Sequence, residues 1–234
     1  MSLIGKKAVV TGSEGGLGGV VTQRFLAEGM KVVGSSRKQQ ERTGSSPTAG
    51  PGLTLVRTDV TNESDVRNLF DTALRIMGGV DIVVNTVGGF LPRKPVPELT
   101  VEEWDLMMRI NLISAFLCTR EALRRMLGQS YGRIINMSAM TGLIPSPGRA
   151  PYAISKAGVS MLTDIAAQEQ KGTGITINAI APSIIDTPTN RQSMPDEDFR
   201  RWVKPENIAD TVCYLCSDAA GDVTGTTIKV FGGL

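Results

Sequence analysis

The sequence predicts an α/β fold in which a doubly wound parallel sheet is covered by helices on both faces. Short apolar runs rich in Val and Ile alternate with longer segments of helical period along the 234 residues, and this alternation is typical of βαβ units. The short runs look like buried strands, as expected for a parallel sheet between two helical layers. Neither an internal repeat nor a linker divides the chain, so residues 1–234 are expected to form a single domain.

The predicted elements follow one another in regular order. The strands are expected at Ala8 to Thr11, Lys31 to Gly34, Leu53 to Thr58, Val80 to Asn85, Gly132 to Met137, Ile175 to Ala181 and Thr227 to Phe231. The helices are expected at Gly18 to Gly29, Ser64 to Met77, Val101 to Leu127, Ala153 to Glu169 and Pro205 to Ser217. Two segments break the alternation. Thr43 to Gly52 is dense in Gly, Ser and Pro and is predicted as a loop, and residues 184–200 are predicted as a short lid over a ligand.

The composition excludes several kinds of function. The chain contains no histidine, which rules out a Ser-His-Asp triad, a Cys-His pair and a histidine metal cluster. Cys213 and Cys216 form a CxxC within a predicted helix, but no second pair completes a zinc site, and no metal is expected. A net charge of +2 without a basic stripe gives no reason to expect nucleic acid. No signal peptide or apolar run of ~20 residues is found, so we expect no membrane segment and a cytoplasmic protein.

A glycine-rich turn lies between the first strand and the first helix. It contains Gly12, Gly16 and Gly18, with Ser13 and Leu17 beside them. Glycine permits a tight turn and a close backbone approach to a pyrophosphate, while the helix N-terminus directs N–H groups at the anion. In this context the turn predicts a Rossmann-like dinucleotide site, and a merely flexible turn is the alternative.

The end of the second strand indicates which dinucleotide is preferred. An acidic residue there would accept hydrogen bonds from the ribose 2′-hydroxyl of NAD, but this chain has Ser36, Arg37 and Lys38. A hydroxyl followed by cations suits a 2′-phosphate, so NADP(H) is expected in preference to NAD(H). If the cations are only solvated loop charges, the two cofactors should bind with similar affinity.

A tyrosine and a lysine occur in a YxxxK pattern at Tyr152 and Lys156. Residues four apart share a helix face, so the phenol and the ammonium can meet. A nearby ammonium would lower the pKa of the phenol and make it a usable general acid/base. Taken alone, the pattern is also compatible with a surface pair.

Together these motifs resemble the classical short-chain dehydrogenase/reductase (SDR) family over essentially the whole chain. The resemblance also includes Asp59-Val60, Asn85 and Gly88, Asn111, and the closing Val223-Thr224-Gly225. It implies that the glycine-rich turn binds the pyrophosphate, that Asp59 and Val60 border the adenine and that Asn85 and Gly88 border the cofactor. Further cofactor contacts are implied at Pro182, Ile184 and Thr187. By the same resemblance Asn111 anchors a proton-relay water, Tyr152 exchanges the proton with substrate, and Lys156 binds the nicotinamide ribose and tunes Tyr152.

One departure from the family pattern touches the chemistry. The family has a substrate-orienting serine thirteen residues before its tyrosine, and this chain has Ala139 there. Ser138 is one residue early and remains a candidate catalytic residue. Because alternate side chains of a strand point to opposite faces, Ser138 is expected to face away unless a bulge rotates it back. Thr141 or a water could otherwise supply the hydroxyl.

These observations predict an NADP(H)-dependent oxidoreductase that acts on a carbonyl or alcohol substrate. Substrate contacts are expected from mostly apolar residues, with Arg93, Lys94 and Arg149 as nearby cations. One alternative is an NADP(H)-binding regulatory or redox-sensing protein with weak or no turnover. Another is a structural or assembly subunit, because the family commonly forms a homotetramer through its two long central helices; a tetramer or dimer is expected here.

Overall fold

The computed structural model describes residues 3–37 and 51–234. Its strands are β1 (Lys7–Thr11), β2 (Lys31–Ser36), β3 (Leu53–Arg57), β4 (Ile82–Asn85), β5 (Gly132–Met137), β6 (Ile175–Pro182) and β7 (Thr227–Val230). Within the described ranges these seven strands form one sheet in the order β3-β2-β1-β4-β5-β6-β7, and every neighbouring pair is parallel. The predicted doubly wound parallel sheet is therefore confirmed.

Helices connect and cover the strands. They are α1 (Gly16–Ala27), α2 (Glu63–Met77), α3 (Val101–Met107), α4 (Ser114–Met126), α5 (Met140–Leu143), α6 (Ala150–Glu169), α7 (Pro188–Ser193) and α8 (Pro205–Cys216). A π-helical segment, Met108–Ile113, joins α3 to α4, so the single helix predicted from Val101 to Leu127 is interrupted near its middle. The predicted lid contains the short helix α7. Lys38 and most of the predicted loop from Thr43 to Gly52 lie outside the described residues.

The sheet separates two apolar layers. Successive residues of β1 illustrate the arrangement, because Val10 packs in a cluster with α1 and α8 whereas Val9 packs in the opposite cluster with α2 and α4. Val84 and Val83 of β4 divide in the same way. Both faces of the central strands β1 and β4 are thus buried, which explains why their sequences are largely apolar, whereas the edge strands β3 and β7 are only partly buried.

The strand order reverses between β1 and β4. Thr11 and Asn85, the last residues of these strands, are paired in register, and the chain leaves them toward opposite sides of the sheet. Thr86 holds the two exits together, because its hydroxyl donates to the Thr11 carbonyl at 2.6 Å and its N–H donates to the Thr11 hydroxyl at 3.1 Å. Such a reversal opens a crevice at the carboxyl ends of the strands. Across residues 3–37 and 51–234, no helix is both long and apolar enough to cross a membrane.

Candidate active site

A groove of about 860 Å³ opens at this reversal point. The residues of the predicted cofactor site that line it are Gly12, Gly16, Leu17, Gly18, Ser36, Arg37, Asp59, Val60 and Gly88. They come from the ends of four neighbouring strands and from the N-terminal turn of α1. The tertiary structure therefore brings most of the predicted cofactor residues to one surface.

The glycine-rich turn presents backbone to the groove. Gly12 has a positive φ of +64°, and a Cβ added at Gly18 would lie only 2.1 Å from the Gly12 carbonyl oxygen. Helix α1 has no side-chain cap at Gly15 and no acidic residue in its first turn. The N–H groups of that turn are consequently available to an anion, which is the arrangement that a dinucleotide pyrophosphate requires.

Ser13 holds this turn against β2 and does not line the groove. Its hydroxyl donates to the Ser35 carbonyl at 3.2 Å, and the Ser35 hydroxyl accepts from the Gly12 N–H at 3.0 Å. A Cβ at Gly34 would lie 2.2 Å from the Ser13 Oγ. The sequence predicts Ser13 as a cofactor-binding residue. In the structure its side chain is buried and holds the glycine-rich turn in position.

Charged side chains surround the far end of the groove. The pKa of Asp59 is lowered chiefly by a hydrogen bond from the Thr61 backbone, and further by the Arg37 and Arg109 guanidinium groups. Arg109 and Glu14 also line the groove, and the sequence analysis identified neither. Their only sequence signal is a position next to a motif: Glu14 lies within the glycine-rich turn and Arg109 lies two residues before Asn111.

Asn111 lies in the π-helical segment and binds the loop after β4. Its side-chain carbonyl accepts from the Gly89 N–H at 3.0 Å, while its amide donates to the Gly89 carbonyl at 3.0 Å and to the Ser155 hydroxyl at 3.2 Å. A Cβ added at Gly88 would lie 2.8 Å from the Asn111 Oδ1 and 2.9 Å from the Lys156 Nζ. The predicted residues Gly88, Asn111 and Lys156 therefore meet closely.

Lys156 is buried and donates from its Nζ to the Met137 carbonyl at 2.8 Å. Burial lowers the pKa of Lys156 to about 8. Burial raises the pKa of Tyr152 to about 12, while the Arg149 guanidinium and a hydrogen bond with the Thr141 side chain act to lower it. The expected lowering of the Tyr152 pKa by Lys156 is therefore not seen, because the ammonium is directed to Met137 and desolvation of the phenol dominates.

The three residues that follow β5 have different surroundings. The Ser138 hydroxyl donates to the Lys156 carbonyl at 2.9 Å and accepts from the Ser160 hydroxyl at 2.8 Å, so it joins β5 to α6. This geometry corrects the candidate catalytic role of Ser138, whose hydroxyl is buried against helix α6 as strand alternation predicts. Ala139 offers no hydroxyl. The Thr141 side chain, in α5, lies near enough to Tyr152 to act against the rise of its pKa.

The remaining predicted cofactor residues are not among those that line the groove. Asn85 is buried and its amide donates to the Asn136 side chain at 2.8 Å, inside the sheet. Pro182 is the buried last residue of β6. Ile184 is half-buried at the start of the predicted lid, and its carbonyl accepts from the Val203 N–H at 2.9 Å. Thr187 caps α7 and packs on the glycine-rich turn, since a Cβ at Gly16 would lie 2.7 Å from its Cγ2.

A second, much smaller cavity of about 10 Å³ is lined by Tyr152, which is not among the residues that line the groove. Leu91, Pro92 and Leu99 give it an apolar wall, and Arg149 lines it beside the tyrosine. The Phe90 and Tyr152 rings meet edge to face with their centroids 6.4 Å apart. This apolar and cationic surface lies where a substrate would have to approach the phenol.

Comparison with known proteins supports this arrangement. The family model described as short chain dehydrogenase matches residues 6–198. The chain is 40% identical to 3beta-hydroxysteroid dehydrogenase 1 of Eggerthella lenta, over 99% of this chain and 94% of that protein. It is 35% identical to cis-4-hydroxycyclohexanecarboxylate dehydrogenase of Sinomonas cyclohexanicum, over 97% and 95%. A solved structure described as ElxO with NADP bound superposes with a TM-score of 0.88 at 26% identity, covering 98% of each chain.

Proposed function

The chain belongs to the short-chain dehydrogenase family, and on that premise we propose that it is an NADP(H)-dependent oxidoreductase. The reaction is the transfer of a hydride between the nicotinamide and a carbonyl or alcohol carbon. The observation that carries the proposal is that Tyr152 and Lys156 lie on one helix, α6, where Tyr152 lines the small cavity and a Cβ at Gly88 of the groove would lie 2.9 Å from the Lys156 Nζ. The names of the two curated relatives, both of them dehydrogenases of hydroxyl-bearing compounds, support the reaction class.

The residues of the groove fit a dinucleotide. The glycine-rich turn would hold the pyrophosphate, Asp59 and Val60 would border the adenine, and Ser36 and Arg37 would face the ribose. The nicotinamide, when bound, supplies or accepts the hydride. Preference for NADP(H) rests on the cation and the hydroxyl at the end of β2, where no carboxylate is available for a ribose 2′-hydroxyl. The NADP-bound structural neighbour is consistent with this choice.

The protein contributes one proton and the geometry. Because its pKa is raised to about 12, Tyr152 keeps its proton at neutral pH and is suited to protonate a developing alkoxide. Lys156 would hold nicotinamide-ribose hydroxyls, and Asn111 would order a water on the proton path. We assign to Thr141 the substrate-orienting role that the family gives to the serine replaced here by Ala139, because its side chain reaches Tyr152.

The alternative of a cofactor-binding protein without turnover is not favoured. That alternative rests on the absence of the family's serine at Ala139. The nearby Thr141 offers a hydroxyl in its place. Tyr152 and Lys156 are both present and buried or half-buried at the site, although a protein that only binds the cofactor needs no proton donor.

We also propose a homo-oligomer, a tetramer or a dimer, formed through the outer faces of α4 and α6. Phe116 on α4 is 41% exposed, and Met161 and Ile165 on α6 are 60% and 50% exposed. Large apolar side chains at such exposure are costly unless covered. Sedimentation at micromolar concentration tests this, and a monomer would contradict it.

The experiment that tests the function is NADPH oxidation by the purified protein with a panel of ketones, aldehydes, quinones and oxo acids, with NADH in parallel. Turnover of at least one member is expected, with NADPH favoured over NADH by about tenfold through Arg37. The Arg37→Met variant should lose that preference, whereas Arg67→Met, an exposed arginine on α2, should keep it. Tight NADPH binding without turnover of any compound would contradict the proposal.

A further inference from the structure

Arg149 lies near the Tyr152 phenol, and no acidic side chain of the described residues forms an ion pair with it. It precedes α6 and is three residues before Tyr152. Its Nη1 donates to the Leu91 carbonyl at 2.7 Å. Its guanidinium carbon lies 5.3 Å from the centroid of the Phe90 ring, and that same ring contacts Tyr152 edge to face. The cation, the aromatic ring and the phenol therefore form one continuous surface.

The positive charge at this surface is not neutralised locally. In the part of the chain that the structure describes, neither Arg149 nor the neighbouring Arg93 forms an ion pair, whereas Lys94 close by is paired with Glu103 at 3.0 Å. Arg93 donates only to neutral acceptors, the Ser146 hydroxyl at 3.0 Å and the Pro147 carbonyl at 2.8 Å. In the described residues, Arg149, which lines the small cavity, and the exposed Arg93 near it thus carry positive charge without an ion pair.

This arrangement is unfavourable without a ligand. Burial lowers the pKa of Arg149, and repulsion by Arg93 lowers it further. Among the described residues Arg149 donates one hydrogen bond, to the Leu91 carbonyl, and a guanidinium carries five N–H groups in a planar fork, so further donors remain for a ligand. An anion placed there would use those donors and relieve the repulsion between the two arginines.

Building on the proposed function, we propose that Arg149 binds the carboxylate of the substrate, and that the enzyme acts on hydroxy acids or oxo acids. The carboxylate would accept from the Arg149 fork, with Arg93 strengthening the local positive potential. The reacting carbonyl or hydroxyl would then lie at Tyr152 and Thr141, and the apolar body of the substrate would pack on Phe90 and Leu91. Arg149 is thus assigned as the residue that sets substrate specificity.

A matched pair of substrates tests the proposal. Levulinate and acetylbenzoate are each compared with their own methyl esters, which keep the ketone but lack the charge. In the wild-type protein kcat/KM for the acid should exceed that for the ester by about 10- to 100-fold, the range for a charge-assisted hydrogen-bonded pair. Arg149→Met should bring the acid-to-ester ratio to about one, mainly through KM of the acid, and Arg149→Lys should keep part of the ratio because it retains a point charge.

The ratio of kcat/KM for the acid to that for the ester distinguishes recognition of the carboxylate from general damage to the site. Any general effect of the Arg149 variants on Tyr152 or on folding changes acid and ester alike and cancels. Arg67→Met removes an exposed guanidinium on α2, far along the chain from this surface, and should leave the wild-type ratio. Equal turnover of acids and esters by the wild-type protein would overturn the carboxylate assignment while leaving the proposed oxidoreductase function intact.

If none of the ketones is reduced, a binding measurement still tests whether Arg149 binds a carboxylate. Calorimetric titration of the NADPH-loaded protein with benzoate and with its neutral analogue benzamide should show tighter binding of benzoate, lost in Arg149→Met. If benzoate binds in this manner but no ketone is reduced, the anion site stands and the proposed function fails. If benzoate and benzamide bind equally or not at all, the anion site is refuted whatever the turnover.

Discussion

The groove and the small cavity are lined differently. The groove of about 860 Å³, the proposed cofactor side, has a turn of bare backbone at Gly12, Gly16 and Gly18 beside its side chains. On the substrate side a cavity of about 10 Å³ is walled by side chains, among them Leu91 and Arg149. A binding surface made of main-chain atoms depends on a short glycine motif and fits one shape of ligand. A binding surface made of side chains can be altered by single substitutions. The contrast explains how a fold can keep one cofactor while its substrate changes.

The sharpest test of this division is Tyr152→Phe. Removing the phenolic hydroxyl should lower kcat for every substrate by about 10²- to 10⁴-fold, the usual contribution of a general acid, without changing the NADPH dissociation constant. Tyr214→Phe provides the control, because Tyr214 is 42% exposed on α8. Steady-state kinetics and NADPH fluorescence titration give both values, and a comparable loss of cofactor binding in Tyr152→Phe would break the proposed separation of the two sides.

The backbone character of the cofactor side is tested by two adjacent glycines of α1. A Cβ at Gly18 would lie 2.1 Å from the Gly12 carbonyl oxygen and 2.7 Å from the Thr86 hydroxyl, whereas the nearest contact of a Cβ at Gly19 is 3.7 Å. Gly18→Ala should therefore cost about 1–3 kcal/mol in the free energy of unfolding and weaken NADPH binding. Gly19→Ala should be neutral or stabilise by up to about 1 kcal/mol through helix propensity. Urea unfolding measures both, and similar values for the two variants would contradict the close approach of turn and helix.

Lys156 connects the two sides and should make stability depend on pH. Its pKa falls from 10.5 to about 8 on burial, so the unfolded chain binds more protons than the folded one between these values. The cost of burying the charge is fully present below pH 8 and is relieved as pH rises. Between about pH 8 and 9.5 the wild-type protein should gain about 1–2 kcal/mol in unfolding free energy relative to Lys156→Met.

Tyr152 titrates above the pH range proposed for the Lys156 measurement. Because its pKa is raised to about 12, that residue contributes stability below pH 10 that is lost as pH rises toward 12. Lys171→Met, which removes an exposed lysine, serves as the control and should follow the wild-type curve. Parallel curves for wild type and Lys156→Met would mean that Lys156 is not desolvated in the folded protein.

The smallest expected effect lies on the substrate side, at Ala139. Ala139→Ser restores the hydroxyl position of the family and should raise kcat by about two- to tenfold, the value of one neutral hydrogen bond. Thr141→Val should lower kcat, since it removes the hydroxyl that lies near Tyr152. In the double variant the added serine should recover part of the loss. An unchanged or lowered kcat in Ala139→Ser would show that Thr141 already fills the role completely.

Much of the framework could be predicted from local sequence. The seven strands followed from short apolar runs, because a strand covered on both faces is mostly apolar, although β5 also buries Arg133 and Asn136. The same rule of alternation predicts that Ser138 faces away from the site, and its hydroxyl bonds with Lys156 and Ser160 of α6. Local patterns did not predict the π-helical segment Met108–Ile113, since Asn111 stabilises it through contacts with Gly89 and Ser155 that are distant in the chain.

The family and the glycine-rich turn could be recognised from the sequence alone, because motifs carry them, and the spacing of Tyr152 and Lys156 predicted that both lie on one helix. Only the tertiary structure placed Glu14 and Arg109 in the groove, directed Lys156 to the Met137 carbonyl, and set Arg149 beside Tyr152 without a carboxylate partner in the described part of the chain. The physical reason is that charge and solvation act through space. A pKa, an ion pair or an unsatisfied cation is decided by which loops meet around it, and spacing along the chain does not carry that information.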